Sequence, residues 1–251
     1  MTLFRNVVFI AALTGLLASV AMTAMQMFTT VPLILQAEVY ENAGAAAGHD
    51  HAAAPADQAA GAEAAAAAHE HDAQAWEPSE GIERYAFTLL ANLVSGVGFA
   101  LILVAVSEFA GGIGNWRQGL FWGLAGFSVF VLAPGLGLPP ELPAMPAAEL
   151  FPRQVWWTAT ALATAAGLAL IAFRRSPLLA IAGVALIMAP HIVGAPQPVS
   201  FETAIPEGLH HQFVVAVTMT NLVFWVVLGA LAGLIRPRFS GSSESLRSSF
   251  A

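Results

Sequence analysis

Six stretches of this chain stay apolar for close to the ~20 residues that a helix needs to cross a bilayer's hydrocarbon core. They run from Val7 to about Leu35, Tyr85 to Ser107, Gly119 to Leu138, Val155 to Phe173, Pro177 to about Gly194, and Phe213 to Ile235. Only 10% of residues are charged, against about 25% in soluble domains, too few to clothe a water-soluble fold. Lipid-exposed backbone must satisfy its own hydrogen bonds, so runs of this length and character have to be helical. The expectation is an all-α, polytopic helical membrane protein with six transmembrane helices. The fifth run is short and carries Pro190 and His191; read as a re-entrant or interfacial element, it leaves five.

Arginine placement sets the expected orientation. With six spans and a cytoplasmic N-terminus, Arg5, Arg117, Arg174, Arg175, Arg236, Arg238 and Arg247 fall inside, and only Arg84 and Arg153 fall outside. That split obeys the positive-inside rule. Arg5 followed by an apolar run resembles a signal peptide, but the run exceeds the 7–15 residues of such a segment, so it reads as a retained helix. Residues 1–239 form one transmembrane domain, 36–84 an inserted external loop, and 240–251 a Ser-rich, disordered cytoplasmic tail.

The insert is rich in Ala and His, and from Gly44 to Ala75 it has no aliphatic side chain larger than Ala. It cannot bury a core, so a flexible segment is expected. Within it His alternates with acids twice, as His49-Asp50-His51 and as His69-Glu70-His71-Asp72. The chain has no cysteine, which excludes thiolate metal sites, disulfides and Cys nucleophiles. Imidazole with a neighbouring carboxylate suits borderline divalent metals. Residues at i and i+2 do not share a helix face, so binding would order the loop and be weak. Ordinary solubility of an Ala-rich loop is the competing account.

Polar residues at membrane depth are costly and mark candidate function. Met22, Met25 and Gln26 share a face of the first span, with Thr29 and Thr30 a turn further on. They could serve as a cation path, or Met as packing and Gln26 as an interhelical hydrogen bond. Pro32 should kink or end that helix. Asn92 reads as an interhelical amide, and Glu108 as a group reaching interfacial water.

The remaining histidines, His191, His210 and His211, fall on the external side with the loop, so all seven histidines share one face. The segment Ala133-Pro134-Gly135-Leu136-Gly137-Leu138-Pro139-Pro140-Glu141-Leu142-Pro143 is too proline-dense for continuous helix, and it offers Glu141 as a carboxylate at a vestibule mouth.

At these residues the chain resembles the CbtA family, the membrane subunit of a proposed bacterial cobalt transporter. The likeness rests on Gln26 with Val31-Pro32-Leu33-Ile34 and Glu38 through Glu41, Trp122 to Phe127, the Leu132 to Pro143 segment, Gln154-Val155-Trp156-Trp157, Ala189-Pro190-His191 through Pro196, and Phe213, Asn221 and Trp225. The resemblance implies a multi-pass protein of the bacterial inner membrane, about five spans, cobalt as the transported ion, and a small single-span CbtB-like partner. It points to Gln26, Glu38, Glu41, Glu141, His191 and His211 as shared positions.

The expected function is therefore the membrane subunit of a divalent transition-metal uptake transporter. His49, Asp50, His51, His69, Glu70, His71, Asp72, His191, His210, His211 and Glu141 would serve as metal ligands, with Gln26, Met22, Met25, Glu38 and Glu41 along the path. Cobalt is the expected cargo, nickel or another divalent ion the alternative, and no organic cofactor is expected. No phosphate-binding loop occurs, so energy would come from a partner or a gradient. Neither enzymatic activity nor a nucleic-acid partner is expected, and a homo-oligomer is compatible with the sequence. The alternative is a non-transporting scaffold or metal-binding interaction subunit.

Overall fold

Proline positions decide where the helices of this bundle break. The computed structural model describes residues 2–50, 78–79 and 81–239, and among them all regular structure is helical. The first helix, α1 (Thr2–Phe28), stops because Pro32 has no N–H to offer the Phe28 carbonyl. Thr29 forms a single turn, and α2 (Thr30–Asp50) takes Pro32 into its first turn, where a missing donor leaves nothing unpaired. The expected break is thus present. The helix restarts after it and carries residues 36–50 of the polar insert, including the backbone of His49 and Asp50.

The long α3 (Ile82–Phe109) is followed by α4 (Trp116–Gly137). The latter opens on an Asn115 cap whose side chain accepts from the Gln118 N–H at 3.0 Å. The Gln118 side chain reaches back to the Gly114 N–H. Within α4, residues Ser128–Leu132 form a π turn, closed by the Ala133 N–H on the Ser128 carbonyl. Pro134 lies just beyond it, and the wider turn keeps the proline ring off the carbonyl four residues back. The bundle is completed by α5 (Leu150–Phe173), α6 (Pro177–Val193) and α7 (Glu207–Phe239).

Among the described residues five helices are long and apolar enough to cross a membrane, and Pro177–Val193 is a shorter apolar one. End-to-end contacts show how far that shorter helix reaches. Trp156, at the start of α5, donates its indole N–H to the Pro190 carbonyl near the end of α6. Gly167 and Gly183 abut midway. The two helices are therefore antiparallel, and α6 returns the chain to the end where α5 began. Its 17 residues span about 25 Å, at the short limit for a crossing. Among the described residues, then, five membrane-length helices and the shorter α6 run alternately between the two ends of the bundle.

These traverses sort the cations. Arg5, Arg117, Arg174, Arg175, Arg236 and Arg238 gather at one end and Arg84 and Arg153 at the other, which by the positive-inside rule puts the first end in the cytoplasm.

Helix contacts depend on small residues. A Cβ on Gly123 would lie 2.2 Å from the Trp225 carbonyl oxygen and one on Gly119 2.1 Å from that of Gly229, so α4 and α7 touch backbone to backbone. Gly15 and Gly96 do the same for α1 and α3. Between these helices Met22, Leu103, Phe127, Trp225 and Leu228 form the main core, with the Phe130 and Trp225 rings stacked at 5.6 Å. A second cluster of Ala37, Leu142, Ile205, Leu209 and Phe213 fixes α2 and the 138–149 loop to the outer end of α7.

Candidate functional site

Two polar zones occur along the bundle, one at membrane depth and one at its outer end. The inner zone joins α1 and α3. Asn92 donates its side-chain amide to Thr23 Oγ1 at 2.9 Å and to Gln26 Oε1 at 2.6 Å, while Ser19 donates to the Asn92 backbone carbonyl at 2.7 Å. One turn further, at the α1–α2 break, Thr29 and Thr220 hydroxyls meet at 3.3 Å, adding α7 to the zone. At 1.5 Å per residue, Asn92 lies about 12 Å below Arg84 and about 24 Å above Glu108 along α3. Amides and hydroxyls at that depth have no water to fall back on, which explains why they pair with one another.

Gln26, a predicted path residue, is thus at the centre of this zone. Met25 lies beside it on α1, half-buried, whereas Met22 is packed into the main core. Asn92 is the interhelical amide that the sequence suggested, and the α1–α3 pairing supplies what its amide meets.

The outer zone surrounds the proline-rich segment. Gly137 ends α4 directly beneath the Trp156 ring and the Ala195 methyl, where a Cβ would not fit. The Trp156 ring meets the His191 ring edge to face at 5.8 Å. His210 places Nε2 3.2 Å from the Pro140 carbonyl oxygen. The Glu141 carboxylate accepts from Arg153 Nη2 at 3.0 Å. A cavity of about 340 Å³ opens here, lined by Pro140, Glu141, Arg153, Gln154, Trp157 and Thr158. The 133–143 segment, α5, the end of α6 and the start of α7 therefore converge, bringing Glu141, His191 and His210 to the same end of the bundle. His211 is exposed on the first turns of α7.

Glu38, on α2, accepts from Arg84 Nη1 at 2.6 Å and Nη2 at 3.3 Å, and Glu41 follows one turn later. His51, His69, Glu70, His71 and Asp72 lie outside the described residues, and of His49 and Asp50 only the helical backbone is described. Among the described residues, no group of three or more His, Asp or Glu side chains is close enough to hold a metal ion.

One sequence expectation needs correction. Glu108 does not reach interfacial water: it is 3% exposed and takes a two-pronged contact from Arg236, Nε to Oε1 at 2.6 Å and Nη2 to Oε2 at 2.9 Å. Arg236 Nη1 also donates to the Ile113 carbonyl. The parallel course of α3 and α7, both ending on the arginine-rich side, brings these two charges together, and residues 128 positions apart carry no local signal of it.

A helical bundle with five membrane-length helices and a shorter apolar one among its described residues, with amides at membrane depth and imidazoles at its outer mouth, defines a polytopic membrane protein. The family model described as probable cobalt transporter subunit (CbtA) matches residues 4–236, nearly the whole chain, and the protein belongs to that family. No curated protein and no solved structure matches it.

Proposed function

We propose that this chain is the membrane-spanning subunit of a divalent-cobalt uptake transporter in a bacterial inner membrane, working with a small single-span CbtB-like partner. The observation that carries this reading is the Gln26–Asn92–Thr23 cluster beside the α1–α2 break. Neutral amide and hydroxyl oxygens bind a cation weakly, which suits a site that must pass an ion on rather than keep it. Imidazoles suit first-row divalent metals, so His191, His210 and His211, with the insert's histidines, serve as the external capture set. Glu141 and Glu38 contribute carboxylate oxygen at the same end. An inside-negative potential drives a doubly charged ion inward with about 4–5 kcal/mol per 100 mV.

A second reading is supported by the arginine partners of Glu38 and Glu141. If those carboxylates serve only their ion pairs, the chain is a non-transporting scaffold or metal-binding interaction subunit. Radiolabelled cobalt uptake in cells expressing the chain and its partner separates the two. Deleting residues 44–75 is expected to raise the half-saturating concentration, His191→Ala to lower the maximal rate, and Gln26→Leu to abolish uptake. Uptake that is equal in all variants and in cells lacking the chain supports the scaffold.

A further inference from the structure

A second cavity lies apart from both polar zones. It measures about 480 Å³ and lies between α3, α4 and α5 on the arginine-rich side, walled by Val106, Phe121, Leu168, Ala169 and Phe173, with Trp225 at its back. Its existence follows from how α5 attaches. That helix packs on α6 and, toward the rest of the bundle, chiefly on the π turn and the end of α4, so below that junction α5 stands away from α3. The outer end is closed where the Phe130 and Trp157 rings meet at 6.2 Å.

Its length limits what can fill it. From Gln118 to Phe130 the groove runs about 18 Å along α4. A transmembrane helix of a partner needs the full ~30 Å of the hydrocarbon core and would collide with the Phe130–Trp157 closure. An acyl chain entering from one leaflet needs only half that thickness. The mouth of the groove adds charge. Trp122 and Phe173 approach at 6.3 Å there, Arg174 and Arg175 follow Phe173 directly, and Arg117 precedes Trp122 on α4 with its guanidinium over the Trp116 ring at 5.5 Å. All three arginines are exposed, and no carboxylate among the described residues pairs with them.

We propose that this groove is a binding site for an anionic phospholipid of the arginine-rich leaflet. One acyl chain fills the apolar slot, and Arg117, Arg174 and Arg175 hold the headgroup phosphate, as basic pockets between transmembrane helices do on the cytoplasmic side. The site wedges the α5–α6 hairpin against the rest of the bundle and is independent of the transport reading.

The test is native mass spectrometry of the full chain purified from bilayers of phosphatidylcholine and phosphatidylglycerol in equal parts. The expected result is one retained phosphatidylglycerol, preferred over phosphatidylcholine by about tenfold or more, since each arginine near the surface adds to the attraction. In the Arg117→Gln, Arg174→Gln, Arg175→Gln variant the preference falls to near unity. These are exposed positions, and unchanged far-ultraviolet dichroism verifies the fold. Ala169→Trp, which fills the slot, loses both lipids. Equal retention of the two lipids by the unaltered chain, or a preference that survives loss of the three arginines, overturns the proposal. So does efficient cross-linking of Ala169→Cys to a second copy of the chain, which would make the groove a protein interface.

Discussion

Breaking the Arg236–Glu108 pair should cost this bundle more than breaking the Glu38–Arg84 or Glu141–Arg153 pair. The guanidinium makes two hydrogen bonds to Glu108 and one to the Ile113 carbonyl, and the two side chains are only 10% and 3% exposed. Arg236→Ala leaves a carboxylate buried without its cation, leaves Ile113 short of a donor, and opens space over Gly112, on which the guanidinium rests closely enough to exclude a Cβ. Breaking one side of a buried pair costs about 3–5 kcal/mol, a large share of the ~5–15 kcal/mol that holds a typical domain folded. Glu108→Ala should cost a similar amount by stranding the arginine. The double variant Glu108→Leu, Arg236→Met removes both charges and refills the space, and its stability should return to within about 1–2 kcal/mol of the original. The assay is reversible unfolding in mixed micelles by titration with sodium dodecyl sulfate, followed by far-ultraviolet dichroism. The four proteins compared should show a coupling of several kcal/mol. If each single variant loses less than ~1 kcal/mol, as exposed pairs do, the reasoning from burial is refuted.

Three other changes have defined outcomes. Gly123→Val pushes a side chain into the Trp225 carbonyl, 2.2 Å from the position of its Cβ, so α4 and α7 must separate. A fall in midpoint by the same micelle assay, with little effect from Gly98→Val, which meets open space, is the expected pattern. Asn92→Leu breaks two side-chain hydrogen bonds and should cost only about 0.6–2 kcal/mol of stability while stopping cobalt uptake; normal uptake would remove the cluster from the path. Arg153→Gln frees Glu141 for a metal ion and should lower the half-saturating cobalt concentration, whereas an unchanged value would mean that Glu141 serves only the ion pair.

The fold was largely legible because a bilayer imposes one dominant constraint on sequence. Apolar runs gave the helices, arginine positions gave the orientation, and Pro32 announced the α1–α2 break. What stayed hidden depends on partners distant in sequence. Asn92 reads as an interhelical amide and is one, but its partners Gln26 and Thr23 emerge only when α1 packs on α3, and Glu108 at a helix end reads as a solvated acid until α7 supplies Arg236. The π turn was equally invisible: Pro134 signals a disturbance, but whether it kinks, ends or widens the helix depends on how α4 packs against α5 and α7. The length rule alone left the fifth run undecided, because 17 residues sit at the limit of a crossing. The Trp156–Pro190 bond and the Gly167–Gly183 contact resolve its course, and neither follows from hydropathy.

The Glu38–Arg84, Glu141–Arg153 and Glu108–Arg236 pairs divide by exposure in a way that bears on how a cation would be handled. Glu38 and Glu141 are each about a quarter exposed, as are their partners Arg84 and Arg153. Water can reach these pairs, so separating one costs little. A divalent ion that arrives with twice the charge of a guanidinium competes for such a carboxylate on favourable terms, particularly with His191 or His210 adding nitrogen donors at the same end. The arginine then relaxes into solvent rather than being stranded. Glu108 offers no such exchange, because displacing Arg236 leaves a buried cation with nowhere to go. The outer pairs are therefore suited to swap a side chain for a metal, and the inner pair to hold α3 and α7 together at the cytoplasmic end. The Gln26–Asn92 zone between them carries no net charge of its own, so an ion passing through it meets weak oxygen donors and no carboxylate to trap it. On the proposed transport reading, capture outside, loose contact at depth and a fixed clamp inside would follow from where each carboxylate stands relative to water.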